Sequence, residues 1–338
     1  MRNQKDKKKS RVLVTGGCGY IGSHVTAQLS EQGYTVVVLD NLSTGHKSAL
    51  LHDETLIVGN CGDASLLAEL IQEYKIDAVM HFAASIVVPE SIEKPLEYYQ
   101  NNAANTLSLL HQVKKFSIEK FVMSSTAAVY GDAGKTSGLE ENSPTQPIHP
   151  YGRTKLIDEW MLEDLAKISK LQYVALRYFN VAGADPQLRI GQSSPYSTHL
   201  IKIACEVATG HKEHLFIHGN QYDTPDGTCI RDYVHVYDLA AAHLAALHFL
   251  ENGGQSTILN CGYNRGYSIL EVVQTLENVI GHPLQKSVGA NRPGDVGQLI
   301  ASAKKIQKVL DWKPIYNNLQ TIVESSLNWE QLLREKKG

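Results

Sequence analysis

Short apolar runs alternate with longer amphipathic stretches through the first half of the chain. The runs at residues 12–15, 35–40, 55–58, 78–82, 120–124 and 172–177 have strand length. Their cores (VLV, VVVL, FVM, YVAL) are apolar at consecutive rather than alternate positions, the pattern of strands covered on both faces. Between them, residues 20–32, 64–74, 95–116 and 151–169 read as helices, and Gly33 stands where a glycine closes the first of these. Strand and helix repeated in this way predict an α/β chain with a doubly wound parallel sheet.

After about Ala184 the alternation breaks. Pro186, Pro195 and Pro225, among many Gly, Ser and Thr, predict long loops over 185–230 around a helix at 200–209. A strand at 233–236 and helices at 238–250 and 269–280 follow. The expected division is a disordered basic tail over 1–10, a main domain over 11–183, and a smaller mixed α/β lobe over 184–338. That lobe is free to return strands to the main sheet. A length of 338 residues agrees, because single cores stop growing near 250–300 residues.

Composition removes several classes. With 43% hydrophobic and 20% charged residues the chain is neither disordered nor collagen-like. A net charge of −3 gives no whole-chain case for nucleic acid, and the basic start lacks aromatics and reads as a solvated tail. No apolar run is long enough for a membrane span. Five scattered cysteines without a C-x-x-C pair fit a reduced, cytoplasmic setting rather than a disulfide framework or zinc site. No histidine spacing suggests a metal.

The strongest local feature is Gly16-x-x-Gly19-x-x-Gly22, directly after an apolar strand and at the start of a helix. Bare backbone there lets a pyrophosphate approach, and helix N–H groups and dipole favour its charge. Asp40 ends the second apolar run, where a carboxylate accepts hydrogen bonds from ribose hydroxyls and repels a 2′-phosphate. NAD is therefore favoured over NADP.

Tyr151 and Lys155 stand four residues apart, hence on one helical face. A nearby ammonium favours phenolate and so suits a tyrosine to general-base work. In a chain with 16 Tyr such a pair means little alone. Its position gives it weight, since it opens the helix after the run ending Ser124-Ser125-Thr126. Thr126 at that carboxyl edge either caps the strand end or binds a reacting alcohol or ketone.

These residues together carry a resemblance. The T-G-G-x-G-Y-I-G-S-H run, His81-Phe-Ala-Ala84, the S-S-T-A-A-V-Y-G run from Ser124 and Tyr151-x-x-x-Lys155 resemble extended short-chain dehydrogenase/reductases, which are Rossmann-type enzymes. Arg177-Tyr-Phe-Asn180, Arg231-Asp-Tyr-Val-His-Val-x-Asp238 and Arg292-Pro-Gly-Asp295 narrow it to the UDP-glucose 4-epimerase family, over residues 11–330.

The resemblance implies that Tyr151 is the catalytic base and acid, that Lys155 lowers its pKa and binds the nicotinamide ribose, and that Thr126 binds the reacting hydroxyl. It implies an NAD site made by Gly16, Gly19, Tyr20, Ile21 and Gly22, with Asp40 and Asn41 on the adenosine ribose. Asn60, Cys61, Phe82, Ala83 and Ala84 would line the groove, and Asn101, Ser124 and Tyr178 would complete it. The UDP-sugar would lie against Phe179, Asn180, His199, Leu200 and His218, with Arg231, Arg292 and Asp295 on the UDP part and Leu299 beside the sugar. The family's helices at 95–116 and 151–169 commonly pair across a two-fold, which implies a homodimer. Leu156, Met161, Leu162, Leu165 and Ile168 suit that pairing or packing on the sheet.

Three positions depart from the family pattern. Asn60 replaces an Asp that meets adenine, Ile86 replaces a cofactor-contacting Lys, and Leu299 replaces the bulky Tyr of some members. A smaller residue at 299 makes room for an N-acetyl group, so UDP-GlcNAc and UDP-GalNAc stay in view. Three other readings remain open: a nucleotide-sugar dehydratase, a 4-epimerase of another UDP-sugar (xylose/arabinose or a uronate), and a non-catalytic NAD-binding regulator. The first needs an acid and a base after the strand-end Thr, where this chain has Ala127-Ala128.

Overall fold

The apolar runs become strands β1 (Arg11–Thr15), β2 (Thr35–Asp40), β3 (Thr55–Val58), β4 (Ala78–His81), β5 (Lys120–Ser124) and β6 (Gln172–Tyr178). Then come β7 (Asn180–Ala182), β8 (Leu215–His218), β9 (Ile230–His235), β10 (Thr257–Cys261), β11 (Gly266–Ser268), β12 (Lys286–Gly289) and β13 (Gln298–Leu299). The computed structural model describes residues 9–132, 138–194, 197–291 and 295–336. Seven strands form one parallel sheet in the order β10-β6-β5-β4-β1-β2-β3. Strand β1 pairs with both β2 and β4, so the winding reverses there and a crevice opens at the strands' carboxyl ends.

Consecutive apolar residues are needed because both faces are covered. Val12, Val14, Val36 and Val38 pack into one core with α1 (Tyr20–Glu31), while Leu13, Val37 and Leu39 pack into another on the opposite face. That second face is covered by α2 (Ala64–Tyr74), α5 (Asn105–Lys115) and α6 (Pro150–Lys167). Between α2 and α5 lie α3 (Val88–Glu93), α4 (Pro95–Tyr98) and a π-helical turn, Tyr99–Ala104. The single helix expected over 95–116 is thus three pieces. The first face is completed from beyond residue 184: α8 (Val236–Glu251) packs on it and β10 joins β6 in register.

The remaining elements surround β9, which pairs with β7, β11 and β13. Helices α7 (Leu200–Ala208), α9 (Ile269–Ile280) and α11 (Leu319–Glu335) share a third core, and α10 (Lys304–Leu310) returns Ile306 to the first. Strands β7, β8, β10, β11, β12 and β13 and helices α3, α10 and α11 were not read from the sequence, and β9 begins three residues before the expected 233–236. Helix α8 begins at Val236 because His235 Nδ1 accepts the Tyr237 N–H at 3.2 Å. Of the expected tail, only Lys9 and Ser10 are described. Both are bonded, Lys9 to the Gln32 carbonyl and Ser10 Oγ to Glu251 at 2.6 Å. Among the described residues no helix is long and apolar enough to cross a membrane.

Candidate active site

One cleft of about 1710 Å³ runs from the glycine turn, past the end of β5, and into the lobe. Every described residue given a cofactor or substrate role by the sequence lines it, except Lys155. Arg292 lies outside the described residues.

At one end the turn is held by backbone bonds. The Gly16 N–H donates to Leu39 O at 2.8 Å and the Gly19 N–H to Gly16 O at 3.1 Å. Gly16 has φ +74°, and a Cβ there would lie 2.6 Å from Ala83 N. A Cβ on Gly19 would meet only the Gly16 carbonyl, at 3.3 Å, so the cleft side of the turn is open to a pyrophosphate at the amino end of α1. Asp40 Oδ2 accepts from Cys18 N–H at 2.9 Å and Oδ1 from Leu42 N–H at 2.8 Å. Each oxygen keeps a lone pair for a ribose hydroxyl. Asn41 and Asn60 also line this end. Asn60 Oδ1 accepts the Gly62 N–H at 2.7 Å, so part of the acceptor capacity expected to meet adenine is spent in its own turn.

The wall beside β4 is set by residues the sequence reading missed. Asn102, in the π-helical turn, accepts from Ser85 N–H at 2.8 Å and donates to Ser85 O and to Thr154 Oγ1, each at 3.0 Å. It thereby ties the Phe82–Ala84 segment to α6, while Asn101 bonds Ser85 Oγ at 3.0 Å. The extra residue of a π turn rotates these two amides relative to a regular helix. Ile86 is half exposed on the cleft.

Helix α6 begins at Pro150, which needs no N–H partner there, and His149 Nδ1 accepts the Gly152 N–H at 3.1 Å. Tyr151 therefore meets the end of β5 on the first turn. Its phenol faces Thr126, whose Oγ1 accepts the Ala128 N–H at 3.1 Å. Thr126 is thus both a cap and a neighbour of the phenol. Ser124 Oγ meets the Tyr178 hydroxyl at 3.2 Å, and Tyr178 in turn faces Tyr151.

Lys155 does not line the cleft. It is buried, and its Nζ lies 3.5 Å from Asp158 Oδ2. Burial, with Tyr178 beside it, raises the Tyr151 phenol well above its usual value, and Thr126 lowers it. The Lys155 ammonium, which the sequence reading set beside the phenol, is engaged by the Asp158 carboxylate. Beneath the site, Arg177 donates to Glu159 at 2.7 and 3.0 Å and to the Tyr130 hydroxyl at 3.0 Å. That buried network joins β6, α6 and the end of β5, where Ser125 also bonds Glu159.

The far wall is built from the end of β6 and from residues beyond it. Phe179 and Asn180 follow β6, His199 and Leu200 open α7, and His218 ends β8. Arg231 Nη2 lies 3.8 Å from Asp295 Oδ1, and Leu299 sits beside Arg231 in the β9–β13 register.

The sequence pattern of the NAD-dependent epimerase/dehydratase family matches residues 12–262. The chain belongs to that family. A UDP-glucose 4-epimerase of Azospirillum brasilense is 52% identical over 328 residues, covering 97% of this chain and 94% of the relative. Among solved structures of this epimerase/dehydratase family, a UDP-glucose 4-epimerase from Brucella ovis in complex with NAD is 42% identical. It superposes with a TM-score of 0.91 over 95% of this chain and 98% of that one. A UDP-Glc/GlcNAc 4-epimerase from Campylobacter jejuni, also 42% identical, gives 0.83 over 96% of this chain and 99% of its own.

Proposed function

We propose that the protein is a UDP-glucose 4-epimerase, interconverting UDP-galactose and UDP-glucose with NAD as its resident cofactor. The observation that carries this reading is the continuity of the cleft. It places an open glycine turn and Asp40, the Thr126–Tyr151 pair, and Arg231 with Asp295 along one path. The glycine turn, Asp40 and the Phe82–Ala83 wall fit a dinucleotide, with Asn101, Ser124 and Tyr178 toward its reacting end. When bound, the dinucleotide supplies reversible hydride acceptance, so that the sugar passes through a 4-keto form without net redox change.

Tyr151 takes the 4-hydroxyl proton and returns it to the same oxygen after the 4-keto sugar has turned its other face toward the dinucleotide, and Thr126 orients that hydroxyl. Asn180, Leu200 and Arg231 hold the nucleoside diphosphate while the sugar turns; Arg231 is a suitable bidentate partner for a phosphate. Elimination of water would need an acid and a base where Ala127 and Ala128 line the cleft. The test is conversion of UDP-galactose to UDP-glucose by the purified protein without stoichiometric added NAD, read by chromatography. No turnover with either the Glc/Gal or the GlcNAc/GalNAc pair would overturn the reading.

N-acetylated UDP-sugars belong to the same proposal. Leu299 leaves space at the sugar end that a tyrosine would fill, and the Campylobacter jejuni relative is named for both sugars. Leu299→Tyr is expected to lower kcat/KM for UDP-GlcNAc by about tenfold or more and to change that for UDP-galactose by less than about threefold.

The family's two-fold pairing suits this chain as well. Leu156, Leu162 and Leu165 turn inward, whereas Trp160 on α6 (54% exposed), Ile168 just past its end (69%) and Leu96 on α4 (76%) remain outside. A homodimer covers them, and light scattering is expected to give twice the chain mass. Five buried free thiols support a reducing, cytoplasmic setting.

A further inference from the structure

Asp158 is wholly buried on α6, one turn beyond Lys155, and neither of its oxygens makes a hydrogen bond of ordinary geometry. The donors facing it are Lys155 Nζ at 3.5 Å and the Thr106 hydroxyl from α5. Thr106 Oγ1 meets His81 Nε2 at 2.9 Å, and His81 Nδ1 meets Thr15 Oγ1 at 2.6 Å. A neutral imidazole that accepts from Thr15 and donates to Thr106 leaves the Thr106 proton for Asp158. An ion pair built only for stability would have its carboxylate fully satisfied, because a poorly partnered buried charge is costly. Among the described residues, this one has the active-site lysine as its one cation.

We propose that Asp158 is a positioning residue acting through Lys155: it holds and partly neutralises the ammonium, and so sets the pH at which Tyr151 accepts a proton. The inference rests on the role proposed above for Tyr151. The other groups around Asp158 do not replace it. On α6, Glu159 is taken by Arg177. From β4, His81 is neutral, its pKa lowered by burial to about 3. From the turn after β3, burial pushes the Cys61 thiol up to about 11. Burial pushes Asp158 itself up, and Lys155 works against that and favours its charged form. Its charge also works against ionisation of Tyr151, on the same helix.

The test uses the holoenzyme and the neutral variants Asp158→Asn and Asp158→Ser. With the carboxylate gone, the ammonium acts undivided on Tyr151. The acid limb of kcat/KM for UDP-galactose is expected to move down by about one pH unit, making the variants about tenfold faster there. KM stays within about twofold. The Tyr151 phenolate absorbance, obtained as the difference from Tyr151→Phe, moves by the same amount. That absorbance reads the inference even if UDP-sugar turnover is absent, which would sink the epimerase reading alone. A lower rate at every pH with unmoved profile and titration means a merely structural role and overturns the proposal, as does a shift to higher pH. If Asp158→Asn does not fold, the smaller Asp158→Ser carries the comparison.

Discussion

Tyr151→Phe is expected to lower kcat for UDP-galactose by about a thousandfold, within the roughly 10²–10⁴ range for loss of a general acid–base group. It should leave the fold and the bound NAD in place. Phenylalanine fills the same buried space, and the Thr126 hydroxyl it abandons still accepts the Ala128 N–H. The stability cost is therefore no more than that of one hydrogen bond, about 1 kcal/mol. KM should change little, because UDP is held by the lobe rather than by the phenol. Initial rates and the NAD content of denatured protein give both quantities. Near-normal turnover would remove Tyr151 from the chemistry, and an unchanged biological effect without turnover would favour a non-catalytic dinucleotide binder. The pH dependence has a definite sign as well. Burial raises the phenol, so the base form is scarce on the acid side and turnover should climb with pH there.

How much of this was legible depends on what each element must satisfy. Strands β1, β2 and β5 were readable almost to the residue because both faces are buried, and Val12, Leu13 and Val14 must all be apolar. The glycine turn was readable because its spacing follows from helix and strand geometry. Strand β10 was not: the apolar run of Thr257-Ile-Leu-Asn-Cys is cut to two residues by Asn260, which is polar for a long-range reason. Asn260 Oδ1 accepts from the Tyr130 hydroxyl at 2.7 Å and its Nδ2 donates to Leu139 O. The π-helical turn left no mark because its apolar spacing passes for an ordinary helix. Its consequence, the two bonds of Asn102 to Ser85, exists only in three dimensions. Asp158 had a signal that went unused, since a carboxylate three residues after Lys155 shares its face. The residues of the far wall were reached through family motifs, as no local period points Asn180 or Arg231 at a phosphate.

Gly22→Ala is expected to weaken NAD binding by about 10- to 100-fold, and with it all turnover. The argument is steric. A Cβ on Gly22 would stand 2.1 Å from the Gly16 carbonyl oxygen, the acceptor of the Gly19 N–H that closes the turn. Gly16 has nowhere to go: its N–H is fixed to Leu39 O, and Ala83 backs it closely on the other side. Relief must come from α1 moving off the turn, at about 1–3 kcal/mol of packing strain. Each 1.4 kcal/mol felt by the bound state is tenfold in affinity. Gly33→Ala is the control, because Gly33 also has positive φ (+78°) but no atom within 4 Å of an added Cβ. Its cost is backbone strain of about 1 kcal/mol in stability, with NAD retained. Calorimetric NAD titration of both variants separates the cases. Equal losses in the two would show that any weakening of α1 releases the cofactor, whereas loss in Gly22→Ala alone assigns the effect to the turn that faces the cleft.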